Sequence, residues 1–180
     1  MNQTHPLIMQ VVESAKISGA LRREIVTLCN RAYEEELETL FETLGDATHL
    51  LGYCDGVLVC HVLWVSRHLQ AGSGPMMHTA YVELLATDPA YRNRGFAADI
   101  MRHLVGKIQD YTLAGLSPFS VDYYARLGWE LWRGPLFIRV NESLLPSAAD
   151  EDVMIFRLPK TPPLDLNAPL SAEWRDGELW

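Results

Sequence analysis

The stretch Tyr81–Ala98, YVELLATDPAYRNRGFAA, is the part of the sequence from which the fold can first be inferred. Its opening residues alternate with a period of two, which predicts a β-strand. One face of the predicted strand is apolar and carries Val82, Leu84 and Ala86. The other face carries the carboxylate of Glu83. Asp88-Pro89 then ends the strand, because proline fixes φ and has no N–H to donate to a sheet. The segment Arg92–Ala97 follows, and an apolar helical repeat begins at once.

The segment between this strand and the helix is suited to binding a bulky anion. A helix start exposes unpaired N–H groups and the positive end of the helix dipole. Gly95 and Ala97 are small, so that backbone can approach a phosphate closely. The alternative is an ordinary β–α turn that carries two solvated arginines.

Arg-x-x-Gly-x-Ala after a β-strand resembles the acetyl-CoA pyrophosphate loop of the GNAT superfamily of N-acetyltransferases. The resemblance implies acetyl-CoA as the cofactor. It also implies that the strand end and the loop bind it, through Leu85, Ala86, Thr87, Arg92, Asn93, Arg94, Gly95, Phe96 and Ala97.

The amino-acid composition indicates which kinds of protein and which kinds of binding partner are expected. The chain has 180 residues, 48% apolar and 21% charged, as expected of one globular domain. The net charge of −8 argues against a nucleic-acid surface, and either a cationic substrate or plain solubility would account for it. We expect no membrane span and no signal peptide. Three cysteines without metal-like spacing indicate no metal site and free thiols in a reducing cytoplasm.

Periodicity and turn signals predict the remaining elements. Asp55-Gly56 between two β-rich runs is a strong hairpin signal. Strands are predicted over Leu7–Ala15, Thr48–Cys54, Val57–Leu69, Thr79–Thr87, Gly115–Ser117, Trp129–Trp132, Pro135–Val140 and Val153–Leu158. Helices are predicted from a Ser18 cap to Ala32, over Tyr33–Leu44, over Phe96–Ala114 and over Val121–Leu127, with loops such as Gln70–Pro75 between elements.

This order resembles the GNAT fold, an α/β (α+β) fold with a mixed, mostly antiparallel twisted sheet flanked by helices. We expect one domain over residues 1–180, with 159–180 as a packed C-terminal extension that contributes to the substrate site. Tyr124, four residues before Gly128, matches a tyrosine of the superfamily that contacts the cofactor and protonates the leaving thiolate. The alternative for Tyr124 is an aromatic residue at the edge of the core.

The end of the chain narrows the resemblance. A large aromatic residue such as Trp180 is unusual at an unpacked terminus. Ala172–Trp180 (AEWRDGELW) resembles the terminus of aminoglycoside 2′-N-acetyltransferases. Other matches are Thr43-Leu44-Gly45 with His49, Tyr81-Val82-Glu83, Leu116-Ser117 and Leu127-Gly128-Trp129.

The resemblance to this family implies the substrate. It implies acetylation of an aminoglycoside antibiotic, of a gentamicin or tobramycin type or kasugamycin, and hence antibiotic resistance. Two segments that shape the substrate side are shorter than in the family, which makes the kasugamycin branch a serious candidate. The implied substrate-binding residues are Glu36, Glu83, Ser117, Asp150, Glu151, Asp152, Glu178 and Trp180. Assembly as a homodimer is a further expectation.

The chemistry assigns roles to a few side chains. A protonated amine must lose a proton before it attacks a thioester, so that a general base is required. Glu83 is the first choice by position, and the terminal carboxylate of Trp180 competes with it. A backbone N–H of Leu85 or its neighbour is expected to bind the oxyanion, and Tyr124 to act as the acid, as in the superfamily. We expect direct transfer rather than a covalent cysteine intermediate. The alternatives are a GNAT enzyme for another small amine and a non-catalytic acyl-CoA sensor.

Overall fold

The computed structural model describes residues 7–141, 143–177, 179 and 180. Among these, ten strands and four α-helices follow one another along the chain. Their bounds are β1 (Ile8–Glu13), α1 (Gly19–Tyr33), α2 (Glu38–Thr43), β2 (Thr48–Cys54), β3 (Val57–Ala71), β4 (Met76–Thr87), α3 (Phe96–Lys107), β5 (Leu113–Leu116), α4 (Val121–Ala125), β6 (Glu130–Leu131), β7 (Leu136–Val140), β8 (Ser143–Pro146), β9 (Met154–Arg157) and β10 (Leu170–Glu173).

The chain divides into two compact units, and β3 and β4 each run from one unit into the other. The first unit comprises the residues up to Val65 together with Glu83–Lys107. The second comprises Ser66–Val82 and Ile108–Trp180.

In the first unit, β2 pairs antiparallel with both β1 and β3. Asp55 (φ 50°) and Gly56 (φ 78°) turn the chain between β2 and β3, as an Asp-Gly hairpin requires. Ser18 caps α1, since its hydroxyl accepts from the Leu21 amide at 3.2 Å. The largest fully buried apolar side chains of this unit are Ile25, Leu28, Leu50, Leu51, Leu63, Ile100, Met101 and Leu104.

In the second unit, the strand order is β6-β9-β5-β4-β3-β10-β7-β8. β5 is parallel to β4 and antiparallel to β9. β10 lies between β3, to which it is antiparallel, and β7, to which it is parallel. Parallel and antiparallel pairs therefore occur together, and the expected mixed, mostly antiparallel α/β class is confirmed.

Two predicted helices are wrong in extent. The helix expected over Tyr33–Leu44 begins only at Glu38, because α1 ends in a left-handed residue, Glu34 (φ 58°). The side chain of Asn30 holds the intervening turn by accepting from the Leu37 amide at 3.0 Å. A local polar contact therefore prevails over the helical spacing of the leucines.

The second wrong prediction is the helix over Phe96–Ala114, which ends at Lys107. Leu113 and Ala114 instead form β5 and pair in register with Thr79 and Ala80. Strand pairing to a distant segment outweighs the local helical repeat. The loop predicted over Gln70–Pro75 is also too long, because β3 continues to Ala71.

Strands β8 and β10 were not expected as strands. Leu144 and Leu145 of β8 are exposed, so they lack the half-buried alternation that signals a strand. β10 follows a proline-rich stretch and is a strand because it fills the gap between β3 and β7. The other predicted elements are present, with ends that differ by a few residues. No helix in the described part of the chain is both long and apolar enough to cross a bilayer.

Candidate active site

The end of β4 contains a backbone irregularity at Leu84, whose φ is +52°. A left-handed leucine is a genuine outlier, since its side chain crowds the following carbonyl there. The carbonyl groups of Leu84 and Leu85 are both bound by side chains of the first unit. His61 lies 3.0 Å from the Leu84 oxygen through Nδ1, and the Tyr33 hydroxyl donates to the Leu85 oxygen at 3.0 Å. The strand is therefore turned locally and held in that conformation.

The turn after β4 is organised by Asp88, which is 7% exposed. One carboxylate oxygen accepts from the Ala90 amide at 2.9 Å and starts a short 3-10 turn over Pro89–Tyr91. The other accepts from the Arg31 guanidinium at 2.5 Å. Asp88 therefore stops the strand as expected, and it also ties the turn to α1.

The loop that leads into α3 has two left-handed residues, Asn93 (φ 63°) and Gly95 (φ 84°). A Cβ added at Gly95 would meet no other atom within 4 Å, so that the space above this glycine is open. The Asp99 amide bonds to the Gly95 carbonyl at 3.0 Å and closes the first turn of α3. Open space above a glycine at a helix start fits an anion bound by backbone amides. This fits the expected pyrophosphate loop.

The arginines of the loop make internal contacts. Arg92 donates to the Ala32 carbonyl at 2.6 Å, near the last turn of α1 where carbonyls lack helical partners. The Arg94 guanidinium lies 4.8 Å from the ring centroid of Tyr91. Both arginines therefore shape the loop, and the backbone around Gly95 is the open part of it.

The remaining predicted residues of the first unit differ in environment. Glu83 is half-buried, directly before the left-handed Leu84. Leu85 and Thr87 are half-buried, Ala86 is buried, and the Thr87 hydroxyl lies 3.3 Å from the Cys60 sulfur. Glu36 is exposed and accepts from the Asn30 amide group at 2.9 Å.

All three cysteines are free and buried. Burial raises the pKa of Cys29 to about 12 and that of Cys60 to about 11. The thiolate is the nucleophilic form, so neither thiol is prepared for attack at neutral pH. This supports the structural interpretation of the cysteines over a covalent one.

In the second unit, Tyr124 lies in an aromatic cluster and is 4% exposed. The rings of Phe119, Tyr123 and Trp129 have centroids 5.2, 5.2 and 6.2 Å from its own. Ser120 caps α4, the helix that carries Tyr124, by accepting from the Tyr123 amide at 3.3 Å.

Ser117 belongs to a second cluster in this unit. Its hydroxyl lies 3.0 Å from that of Tyr81, whose ring packs over Gly115. A Cβ at Gly115 would come within 3.1 Å of the Tyr81 ring, which explains why glycine occupies that position. The Arg67 guanidinium lies 5.0 Å and that of Arg175 5.7 Å from the ring centroid of Tyr81.

Arg67 joins this cluster to the end of the chain. Its side chain is 2% exposed, and it donates to the carbonyls of Leu179 and Glu173 at 2.6 and 2.7 Å. It also lies 6.0 Å from the ring centroid of Trp180. Trp180 is 4% exposed, and its indole N–H donates to the Ser147 hydroxyl at 2.6 Å.

The other predicted substrate residues of the second unit lie near the start of β9. Asp150 and Asp152 are exposed and Glu151 is half-buried. Glu178 lies outside the described residues. Within this unit the structure brings together Ser117 and, through Tyr81 and Arg67, Trp180.

Two functional candidates were missed from the sequence, Arg67 and His61. Arg67 stands in phase with the buried positions Val65 and Leu69 of β3, so a charge at an inward position was the available signal. His61 stands in the same strand within a run of buried apolar residues. A polar residue in such a run requires a partner, although the sequence does not name it.

Comparison with known proteins now identifies the family. Residues 16–132 match the model of the acetyltransferase (GNAT) domain, which is more than half of the chain. The chain belongs to the GNAT acetyltransferases. The protein is therefore an N-acetyltransferase whose acetyl donor is acetyl-CoA.

One relative by sequence and two solved structures are similar to this GNAT protein. The aminoglycoside 2′-N-acetyltransferase of Mycolicibacterium fortuitum is 28% identical over 131 residues, 69% of this chain and 67% of that protein. The structure of the GNAT family N-acetyltransferase YhbS from Escherichia coli, in complex with CoA, has a TM-score of 0.65 at 16% identity, over 97% of this chain and 92% of that one. A probable N-acyltransferase from Enterococcus faecalis V583 has a TM-score of 0.56 at 21% identity over 72% of this chain, and the match spans only 33% of that protein.

Proposed function

We propose that the protein transfers the acetyl group of acetyl-CoA to an amine of an aminoglycoside antibiotic, and so confers resistance. The observation that carries this proposal is the anchoring of the chain end: the buried Arg67 donates to the Leu179 carbonyl, and Trp180 is buried beside it. An anchored segment can present acidic groups in fixed positions to an ammonium group. The relative from Mycolicibacterium fortuitum supports the same substrate class.

The amine must be deprotonated before it attacks. Glu83 is the proposed base, since it is half-buried and directly precedes the irregular Leu84. A carboxylate in such a position can take the proton directly or through a water molecule. The carboxylate of Trp180 is the alternative base, and the two assignments predict different mutant phenotypes.

Bound acetyl-CoA supplies the acetyl group as a thioester. We assign the Leu85 N–H as the donor to the acetyl oxygen as negative charge develops on it, because that amide belongs to the peptide turned by Leu84. Tyr124 is the proposed proton donor to the departing sulfur. An ordinary tyrosine has a pKa near 10 and a thiol one near 8.5, so transfer to a thiolate is only mildly uphill.

The polycationic acceptor requires anions around it. We propose that Glu36, Glu83, the acidic segment Asp150–Asp152, Glu178 and the Trp180 carboxylate bind its ammonium groups, and that Ser117 binds a hydroxyl group. Kasugamycin and gentamicin or tobramycin types are the candidate substrates. Assembly as a homodimer stays a prediction.

A thiol-release assay with acetyl-CoA tests the substrate class. The panel contains kasugamycin, gentamicin and tobramycin, together with spermidine and a peptide with an unblocked N-terminus. We expect release that depends on an aminoglycoside, and a product that carries one added acetyl group by mass spectrometry. Release only with spermidine or the peptide would instead identify an acetyltransferase for another amine. Calorimetric binding of acetyl-CoA without release on any acceptor would indicate a sensor.

The base is tested by Glu83→Gln, which keeps the size of the side chain. Turnover should fall by about 10²–10⁴-fold, the usual range for a lost general base. Acetyl-CoA affinity should stay near normal, because the loop around Gly95 is unchanged. Glu42→Gln is the matched control, since Glu42 is exposed on α2 and its loss removes the same charge. Wild-type turnover in Glu83→Gln at neutral pH would exclude Glu83 as the base.

The chain end is tested by a short Gly/Ser tail added after Trp180, which moves the terminal carboxylate away from its position. We expect weaker aminoglycoside binding at an unchanged melting temperature, with acetyl-CoA affinity near normal. If Trp180 serves only as a core residue, aminoglycoside affinity should not change selectively. Unchanged affinity for every aminoglycoside bound by the wild type would remove the terminus from the site.

A further inference from the structure

A chain of buried polar side chains in the first unit ends on the strand that carries the proposed oxyanion donor. The Ser14 hydroxyl lies 3.1 Å from His49 Nε2, and His49 Nδ1 lies 2.9 Å from His61 Nε2. His61 Nδ1 then lies 3.0 Å from the Leu84 oxygen. His49 and His61 are 4% and 0% exposed, so each polar contact is made away from water.

The direction of every hydrogen bond in this chain follows from its last member. The Leu84 carbonyl can only accept, so Nδ1 of His61 carries the proton and Nε2 is the acceptor. His49 must then donate from Nδ1, which leaves its own Nε2 to accept from the Ser14 hydroxyl. This assignment is that of two neutral rings; a second proton on His61 would instead require His49 to accept through Nδ1 and to donate to Ser14 through Nε2.

Burial keeps these rings neutral. It lowers the pKa of His61 to about 3 and that of His49 to about 4, with a smaller contribution from the neighbouring His49 and Arg22 charges respectively. The ring of Phe41 stacks on His49 with a centroid distance of 6.3 Å and an interplanar angle of 9°. The imidazoles are therefore held by packing as well as by hydrogen bonds.

A row of hydrogen bonds that ends on a carbonyl group cannot pass a proton onward. Its effect on the site must therefore come from fixing the position of the backbone. The Leu84–Leu85 peptide is trans, since the described part of the chain contains no cis peptide bonds. In a trans peptide the carbonyl and the following N–H point in opposite directions. The bond from His61 to the Leu84 oxygen therefore also fixes where the Leu85 N–H points.

The next peptide is fixed as well, from α1. The Tyr33 hydroxyl donates to the Leu85 oxygen at 3.0 Å. Leu85 thus stands between two peptide planes whose carbonyls are bound by side chains of other elements, His61 of β3 and Tyr33 of α1. Leu84 itself has a φ of +52°, which costs about 1–2 kcal/mol for a side-chain-bearing residue unless its surroundings stabilise it. The two side-chain contacts help to stabilise this conformation.

We propose that His61, oriented by His49, is a positioning residue for acetyl transfer: it aims the Leu85 N–H at the acetyl oxygen by holding the Leu84 carbonyl. The proposal rests on the oxyanion role given above to Leu85. His61 does not touch the reacting atoms. Because an oxyanion donor contributes about 10²–10³-fold to turnover, an amide that turns away should cost up to that factor.

The test compares His61→Gln with His61→Asn. Asparagine retains a donor near the position of Nδ1 and can still bind the Leu84 oxygen, whereas glutamine places its amide near Nε2 and cannot. We expect turnover in His61→Gln to fall by about 10²-fold, with the KM for acetyl-CoA changed by less than about threefold. We expect His61→Asn to recover most of the loss. Val62→Ala in the same strand is the control for general destabilisation, since Val62 is fully buried and its loss should not lower kcat.

A second measurement needs no acceptor, so that it remains valid if the proposed aminoglycoside substrate is wrong. In protein labelled with ¹⁵N-leucine, the Leu85 amide is assigned by its loss in Leu85→Ile. Its chemical shift should differ between the complexes with acetyl-CoA and with CoA. That difference should be retained in His61→Asn and lost in His61→Gln. An equal difference in all three proteins, or its loss in His61→Asn as well, would overturn the proposal.

If His61→Gln does not fold, His49→Gln tests the same row of hydrogen bonds at the side chain that binds His61. It removes the Nδ1 donor that orients His61 while the His61 imidazole remains. We expect a smaller loss of turnover than in His61→Gln, and a reduced acetyl-dependent shift at Leu85. Wild-type values of both quantities in a folded His49→Gln would show that the chain does not position the amide.

Discussion

Replacement of Arg67 by methionine should detach the end of the chain from the second unit. In the folded protein, Arg67 donates to the Leu179 and Glu173 carbonyls at 2.6 and 2.7 Å and lies between the rings of Tyr81 and Trp180. Methionine is close in volume and fills the same space, but it provides no donor. The change therefore removes the anchoring bonds, together with the ion pair to Glu173 and the cation–π contacts, while most of the packing is kept.

The magnitude follows from these contacts. Hydrogen bonds to a charged group contribute about 1.5–3 kcal/mol each, so the two carbonyls lose about 3–6 kcal/mol. Burial of an apolar side chain instead of a guanidinium offsets part of this, because a buried cation carries a desolvation cost. The net expected destabilisation is about 2–4 kcal/mol. For a domain of this length, this corresponds to a melting temperature lower by about 4–16 °C.

Calorimetry gives the melting temperature, and steady-state kinetics give the KM for the amine and for acetyl-CoA. We expect the KM for an aminoglycoside to rise by at least about 10-fold, since one displaced charge-assisted contact costs at least about 1.4 kcal/mol. The KM for acetyl-CoA should stay within about twofold. Arg133→Met is the control, because Arg133 is exposed in the same unit and its side chain donates only to Asn167 among the hydrogen bonds that the described residues show. An Arg67→Met protein with the wild-type melting temperature would refute the anchoring argument, and equal losses for both substrates would refute its selectivity.

Three further predictions concern Tyr124, Gly95 and the buried histidines. Tyr124→Phe should lower the single-turnover rate by about 10²–10⁴-fold if the hydroxyl protonates the sulfur, and an unchanged rate would reject that role. Gly95→Glu should abolish detectable acetyl-CoA binding by calorimetry, because the new carboxylate repels phosphate; the new side chain meets open space but the backbone has a φ of 84°, so the protein should stay folded with about 1–2 kcal/mol less stability, and normal affinity would reject the loop assignment. His49 and His61 have folded-state pKa values lowered to about 4 and about 3 from 6.5, so that below pH 6.5 the unfolded chain binds protons that the folded chain does not. Their contribution to stability is thus complete above pH 6.5 and is lost as the pH falls towards 4, with a limiting slope of about 1.4 kcal/mol per pH unit for each histidine. Urea unfolding at pH 7, 6 and 5 should show a shallower slope for His49→Gln than for the wild type, and identical slopes would contradict the assignment.

Local rules predicted those elements that are fixed by residues adjacent in sequence. The left-handed Asp55 and Gly56 form the hairpin turn that their dipeptide predicts. Ser18 caps α1, and Asp88-Pro89 ends β4. In each case the residue that determines the structure is within a few positions of the structure it determines.

The same rules failed where partners are distant in sequence. Leu113 and Ala114 continue a helical repeat, yet they pair with Thr79 and Ala80, more than thirty residues earlier. β10 is a strand because it meets β3 and β7. Such strand pairings depend on the topology of the sheet. They cannot be predicted from the periodicity of a single segment.

The residues of the candidate site also differ in whether their partners are near or distant in sequence. The loop Arg92–Ala97 could be recognised because its glycine, small residues and helix start are contiguous. The role of Arg67 could not be recognised from the sequence, because the carbonyls that accept from it lie 106 and 112 residues away. His61 likewise reaches Leu84 across 23 residues, and its tautomer depends on His49. A sequence reveals that a buried polar residue needs a partner, and only the fold reveals which one.

The arginines also bear on the acidic excess of the chain. The net charge of −8 counts every cation as available to neutralise a carboxylate. Arg92 instead directs its guanidinium group at the Ala32 carbonyl, and Arg67 and Arg139 divide theirs between backbone carbonyls and one shared carboxylate, that of Glu173 at 3.8 Å from each. Arg67 is buried as well, so its charge is withdrawn from the surface. Carboxylates such as Asp150 and Asp152 are exposed. Two guanidinium groups are thus held at one carboxylate, and exposed carboxylates such as those of Asp150 and Asp152 attract a polycationic acceptor more strongly than a neutral one.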